Sequence, residues 1–203
     1  HAGIKFMTSV FNSKDAIEVA RQVSDVIKIP STEITNYQLL EICADRFEKV
    51  ILSTGAATEE EIGMACKYLA DADSYLLHCV SSYPCDIDRA NLPRIEKLKT
   101  YNPRVGFSDH TSGIKVACLS LPYGVSIIEK HFTTDRDLPG RDNKFAILPE
   151  EFSELRDYCR TFEAASIDHG VDFQTCEEQM RSNYRGRWDP EFRALRDLDS
   201  RSS

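Results

Sequence analysis

Six short apolar runs, each followed by a segment of helical spacing, constrain this chain more than any other feature of its sequence. The runs are Ile4 to Thr8, Val26 to Ile29, Lys49 to Ser53, Ser74 to Val80, Arg104 to Phe107 and Val125 to Glu129. They are rich in β-branched residues and bounded by turn signals, the pattern of buried strands. The segments between them carry helix starts. Asn12 or Ser13 can cap the first, which runs through Ala16, Val19 and Val23. Asn36 can cap the second, with Leu39, Leu40 and Cys43 inward. Thr58 and Glu61 form a capping box before Ile62, Ala65, Cys66 and Leu69. Leu92, Ile95 and Leu98 carry the fourth, and Ser112 to Leu121 the fifth. Pro149 opens a long last helix with Phe152, Leu155, Tyr158 and Phe162 on one face. This alternation predicts an α/β fold: a parallel sheet with right-handed crossovers. Eight strands close a (β/α)8 barrel and six are visible, so the expected fold is an incomplete TIM barrel. Alternation alone leaves an open doubly wound sheet as the alternative.

Either fold places the active site beyond the strand C-termini. Polar residues gather there: Thr8-Ser9, Lys28 to Glu33, Ser53-Thr54-Gly55, His78 to Pro84, Ser108-Asp109-His110-Thr111 and Glu129-Lys130-His131. His110 and His131 end two successive strands of one βαβ unit, so their imidazoles share a rim and can share a metal ion. Hydroxyls and a lysine suit a phosphate. A carboxylate such as Glu33 suits proton transfer or a sugar hydroxyl. Each residue also has a plain structural reading. Lys28 can snorkel to solvent, and Ser9, Ser31, Ser81 and Ser108 can each cap a helix. Ser53-Thr54-Gly55 reads mainly as a strand-to-helix turn. Glu129 and Lys130 point to opposite faces, so one of them reaches the cavity. Convergence on one rim favours function.

The net charge is −8, with no basic stripe, which argues against a nucleic-acid surface. No apolar stretch reaches the length of a membrane span and no signal peptide is visible, so the expected location is the cytoplasm. The seven cysteines include no CxxC pair, and several lie in apolar segments. They read as reduced thiols, without a disulfide framework or a structural zinc site.

The ordered set of motifs resembles the sialic acid synthase family. It comprises Gly3-Ile4-Lys5-Phe6-Met7, Ile27 to Asn36, Val50 to Gly55, Leu76-Leu77-His78-Cys79 and Tyr83-Pro84. Ser108-Asp109-His110-Thr111, Ile128 to Thr133 and Pro139-Gly140-Arg141-Asp142 complete it. The match runs from about Gly3 to about Gly170. The resemblance implies a phosphoenolpyruvate-condensing TIM-barrel transferase of carbohydrate biosynthesis, joining phosphoenolpyruvate to N-acetylmannosamine or a related acylated amino sugar. It implies a divalent metal, manganese or magnesium, on His110 and His131, with the ion polarising the sugar aldehyde. It assigns phosphoenolpyruvate contacts to Lys28, Ser9, Ser31, Ser81 and Ser108. Glu33, Tyr83 and Asp142 fall near the sugar or the reacting centre, Glu33 and Tyr83 as catalytic candidates.

Two departures set the remaining expectations. Nothing here corresponds to the family's first two strands, which carry a carboxylate and a phosphate-binding lysine. The tail from 173 to 203 does not resemble the family's C-terminal antifreeze-like domain. The expected organisation is a partial barrel over 1–172 and an arm or tail over 173–203. The expected function is a sialic-acid-type synthase that forms homo-oligomers and takes small-molecule substrates. Another phosphoenolpyruvate aldol-type synthase stays open, as does a catalytically silent barrel remnant that binds a ligand or partner. The 203-residue form alone is expected to be weakly active or inactive.

Overall fold

The computed structural model describes residues 3–11, 14–186, 188–191 and 193. Six parallel strands form one sheet in sequential order: β1 (Thr8–Ser9), β2 (Val26–Ile29), β3 (Lys49–Ser53), β4 (Ser74–Cys79), β5 (Val105–Asp109) and β6 (Ile128–Lys130). The helices are α1 (Lys14–Val23), α2 (Tyr37–Arg46), α3 (Glu59–Tyr68), α4 (Arg94–Leu98), α5 (Lys115–Ser120), α6 (Pro149–Ala165) and α7 (Glu178–Tyr184). A doubly wound sheet reverses its strand order at a switch point. This order never reverses, so the sheet is an open (β/α)8-type barrel with β1 and β6 as its edges. Contacts divide the chain into two compact units, residues 1–162 and 163–203. The first holds all six strands; the second holds α7, a short helix within the tail.

Alternation within the strands sorts two faces. Ile27, Ile29, Val50, Leu52, Leu76, Val105 and Phe107 pack into a core with Leu39, Leu40, Cys43, Ile62, Ala65, Ile95 and Leu98. Burying each Leu, Ile or Phe contributes about 1.5–3 kcal/mol. The opposite face carries Lys28, Ser53, Leu77, Cys79, Ser108 and Glu129, so the strand ends present polar groups on the side away from the helices.

The caps form as expected. Asn36 accepts from Leu39 N–H at 3.2 Å, and Thr58 and Glu61 make a reciprocal capping box. The expected cap at Asn12 or Ser13 lies outside the described residues. Four expectations need correction. The strand expected over Val125 to Glu129 is Ile128–Lys130. The strand expected over Ile4 to Thr8 is only Thr8–Ser9. Thr8 pairs with Ile27, so only Met7 among the preceding residues would fall opposite a β2 residue, and Ile4 to Phe6 would lie beyond its start. Among the described side chains of α1, Ile17 and Ala20 are buried while Val19 and Val23 are exposed; the side chain of Ala16 lies outside the description. On α6 only Leu155 is buried; Phe152 and Tyr158 are exposed. An open barrel gives its outermost helices one neighbour instead of two.

None of the seven cysteines forms a disulfide. No described helix is long and apolar enough to cross a membrane.

One core histidine has a thermodynamic consequence. His78 is fully buried, stacks on Phe107 with ring centroids 5.4 Å apart, and its Nε2 donates to Ala90 O at 2.8 Å. Burial pushes its pKa down to about 4, below the ordinary 6.5. The unfolded chain therefore binds an extra proton between those values. Stability is full above pH 6.5 and falls as pH drops toward 4, by about 3 kcal/mol in all. Urea unfolding at pH 7 and pH 5 should show this loss. The profile should flatten in His78→Asn, which keeps a neutral donor toward Ala90.

Candidate active site

The site is built where parallel strands end. Register places Ser9 beside Lys28, Cys79 beside Ser108, and Ser108 beside Glu129. Lys28 is buried, and its Nζ donates to Ile29 O at 3.1 Å. Glu129 Oε2 stands 3.8 Å away. Burial lowers the Lys28 pKa, and the Glu129 carboxylate partly offsets this. Ser108 is buried and donates to Glu129 Oε1 at 2.6 Å. One carboxylate thus links a lysine of β2 to a serine of β5.

A second cluster forms at the ends of β2, β3 and β4. Ser31 Oγ accepts from Gly55 N–H at 3.0 Å and lies 3.2 Å from Cys79 Sγ. A Cβ on Gly55 would stand 2.7 Å from Cys79 Sγ and 2.9 Å from Ser31 Oγ, and would collide with Ser81 Oγ. Two hydroxyls and a thiol thus converge on the Gly55 backbone. Arg94 braces this turn from behind, donating to Thr54 O at 2.9 Å and to Cys79 O and Ala57 O at 3.4 Å.

The two histidines come together. Their ring centroids are 5.3 Å apart, inclined at 65°. His110 Nδ1 is fixed by Val80 O at 2.8 Å, and His131 Nδ1 lies 3.4 Å from Asp142 Oδ2. Each ring therefore has its Nδ1 oriented by an oxygen, and its second ring nitrogen is Nε2. This is the arrangement of metal-binding histidines. Burial lowers the His110 pKa, which favours the neutral, ligand-competent ring. Among the described residues no group of three or more His, Cys, Asp or Glu could hold a metal. Tyr83 packs against His110 at 4.3 Å between centroids, and against His131 at 5.8 Å. Burial is the largest cause of its raised pKa, which keeps the phenol protonated.

Beneath the histidines, Lys130 pairs with Asp109 at 3.0 Å in full burial and donates to Thr111 O at 2.6 Å. Asp109 also accepts from Thr111 N–H at 2.8 Å. This face is opposite Glu129, so of that pair Glu129 reaches the polar side of the sheet. Glu33 stands after β2, half-buried, accepting from Asn36 Nδ2 at 3.0 Å. Ser9 is exposed at the edge. Glu129 and Gly55 lay on the rim in the sequence reading but without assigned roles, and the structure gives them contacts with Lys28, Ser108 and Ser31; Ser53 shares their face of the sheet. The signal was strand parity, because Ser53 and Glu129 fall on the same face as Lys28 and Ser108.

A sequentially ordered parallel half-barrel with a lysine and a histidine pair on one rim defines the class of (β/α)8-type barrels. Residues 1–170 match the NeuB family, and the chain belongs to that family. It is 34% identical over 187 residues to the N,N'-diacetyllegionaminic acid synthase of Campylobacter jejuni, covering 89% of this chain and 55% of that protein. It is 33% identical over 174 residues to a pseudaminic acid synthase of the same species, covering 84% and 51%. The chain thus spans about half the length of the curated relatives it matches. Among solved structures, the N-acetylneuraminic acid (sialic acid) synthetase of Leptospira borgpetersenii superimposes with a TM-score of 0.80 at 33% identity. That match covers 90% of this chain and 66% of that one.

Proposed function

We propose that this chain carries the phosphate- and metal-binding half of the site in a nonulosonic acid synthase, a transferase that condenses phosphoenolpyruvate with an acylated amino sugar. The observation that supports it best is that Glu129 brings Lys28 of β2 and Ser108 of β5 together on the rim that carries the histidine pair. Its names among relatives cover legionaminic, pseudaminic and sialic acid synthases, so the sugar class is an acylated amino sugar and N-acetylmannosamine is one candidate.

Lys28 supplies the positive charge for the phosphate, with hydroxyls of Ser9, Ser31, Ser81 and Ser108 as donors. The Gly55 N–H points into the same cluster. His110 and His131 would hold a divalent ion, manganese or magnesium, which supplies Lewis-acid polarisation of a carbonyl. Asp142 orients His131, and Tyr83 walls the histidine pair on one side. Glu33 is placed to accept a sugar hydroxyl with its remaining lone pairs. In the condensation, the methylene carbon of phosphoenolpyruvate bonds to the sugar aldehyde carbon. Water adds at the adjoining carbon, and phosphate leaves as the C–O bond breaks. Lys28 and the hydroxyls neutralise charge on that leaving group.

The test is binding of phosphoenolpyruvate to the chain and to Lys28→Ala. Loss of a charge-assisted contact costs about 1.5–3 kcal/mol, so affinity should fall by at least about tenfold. Equal affinity in Lys28→Ala would remove the proposed phosphate site. Phosphate release that depends on an acylated amino sugar, screened over a panel, then identifies the second substrate.

A further inference from the structure

The donors assigned to phosphate are already engaged by a carboxylate of the same chain. A serine hydroxyl has one proton to give, and Ser108 gives it to Glu129 Oε1 at 2.6 Å. Lys28 has three N–H donors. One is directed at Ile29 O, and the ammonium faces Glu129 Oε2 at 3.8 Å. The Ser108 contact is local, because Ser108 and Glu129 are register partners on β5 and β6. The Lys28 contact is not: β2 and β6 lie four strands apart in the sheet order. Glu129 therefore spans the site between the two groups that a phosphoryl oxygen would need.

We infer that Glu129 is a resident anion that competes with the phosphoryl group for Lys28 and Ser108, so that substrate binding displaces it. The inference rests on the phosphate site proposed above. A phosphate and a carboxylate cannot share the one Ser108 proton, and they repel each other at one ammonium. Their exposure differs in the required sense. The Lys28 side chain is 7% exposed, whereas that of Glu129 is 37% exposed. The lysine is enclosed and tied to Ile29 O, whereas the carboxylate borders solvent. Buried Lys28 gains a counter-charge from Glu129. Return of Glu129 to the same donors drives inorganic phosphate out after the condensation. The cost is phosphate affinity below what Lys28 and the hydroxyls could provide.

The experiment is calorimetric titration of inorganic phosphate into the chain, Glu129→Gln, Glu129→Ala and Lys28→Ala, with circular dichroism as the check of folding. Both Glu129 variants should bind phosphate about tenfold more tightly, a gain of about 1.4 kcal/mol, while Lys28→Ala should bind it more weakly. If Lys28→Ala loses affinity but the Glu129 variants bind equally or more weakly, Glu129 is no competitor and the phosphate site stands. Binding seen only in the Glu129 variants also supports competition. Absence of binding in every form overturns both readings. A measurement on the unaltered chain covers the case of misfolded variants. The carboxyl carbon resonance of Glu129 should shift as phosphate is added, and an unmoved resonance at saturation would refute displacement.

Discussion

Replacing His110 by alanine should weaken manganese binding by more than about a hundredfold, about 2.7 kcal/mol or more. Two histidines are the protein ligands proposed for the ion, and each is pre-oriented through Nδ1, by Val80 O and by Asp142. Removing one leaves a single imidazole, which cannot chelate. Loss of an outer-shell partner alone costs about 10–100-fold, so loss of a ligand should exceed that range. Asp142→Asn should fall within it, because the carboxylate touches only the far nitrogen of His131. Isothermal titration with manganese checks both without any need for turnover. Equal binding by His110→Ala would end the metal assignment, and the ranking His110→Ala below Asp142→Asn tests the orientation argument.

Gly106→Ala should destabilise the fold by about 3 kcal/mol, at the upper end of overpacking costs. A Cβ there would stand 2.7 Å from Ile127 O and 2.9 Å from Ile127 Cβ, and would collide with Leu77 Cδ2. The obstacle is backbone, and it is pinned: Ile127 O accepts from Phe107 N–H at 2.8 Å. Relief would require β6 to move away from β5, carrying Glu129 and His131 with it. Metal and phosphate binding should therefore weaken together with stability. Gly63→Ala is the control. It lies within α3, where a Cβ meets only Tyr101 Cε1 at 3.4 Å. Removing a mid-helix glycine should stabilise by about 0.5–1 kcal/mol. Urea midpoints at constant slope measure both.

Much of this architecture is legible in the chain because local rules suffice for it. Val26–Ile29 and Lys49–Ser53 are continuous apolar runs that end in turn residues, and both strands form with those limits. The Thr58–Glu61 box and the Asn36 cap depend on groups three residues apart. The histidine pair was legible for the same reason. Parallel strands joined by a crossover helix must end on one rim, so His110 and His131 had to be neighbours in space.

What lay beyond the sequence depends on which strand pairs with which, and on what covers each face. Ile4 and Phe6 look like strand residues, yet no β2 residue stands opposite them. Val19, Phe152 and Tyr158 have the spacing of buried positions but lie on helices with too few neighbours. Gly55 reads as a turn residue until Ser31, Cys79 and Ser81, contributed by two other strand ends, close on it. The Glu129 contact with Lys28 joins residues 101 positions apart across the sheet, and no local pattern encodes it. The sequence alone determined the alternation of elements, the parallel sheet and the rim on which chemistry gathers, because periodicity and chain chirality act over a few residues. Only the tertiary structure decided how the donors are spent, since a hydroxyl proton or a buried ammonium takes its partner from whatever the folded sheet places within reach.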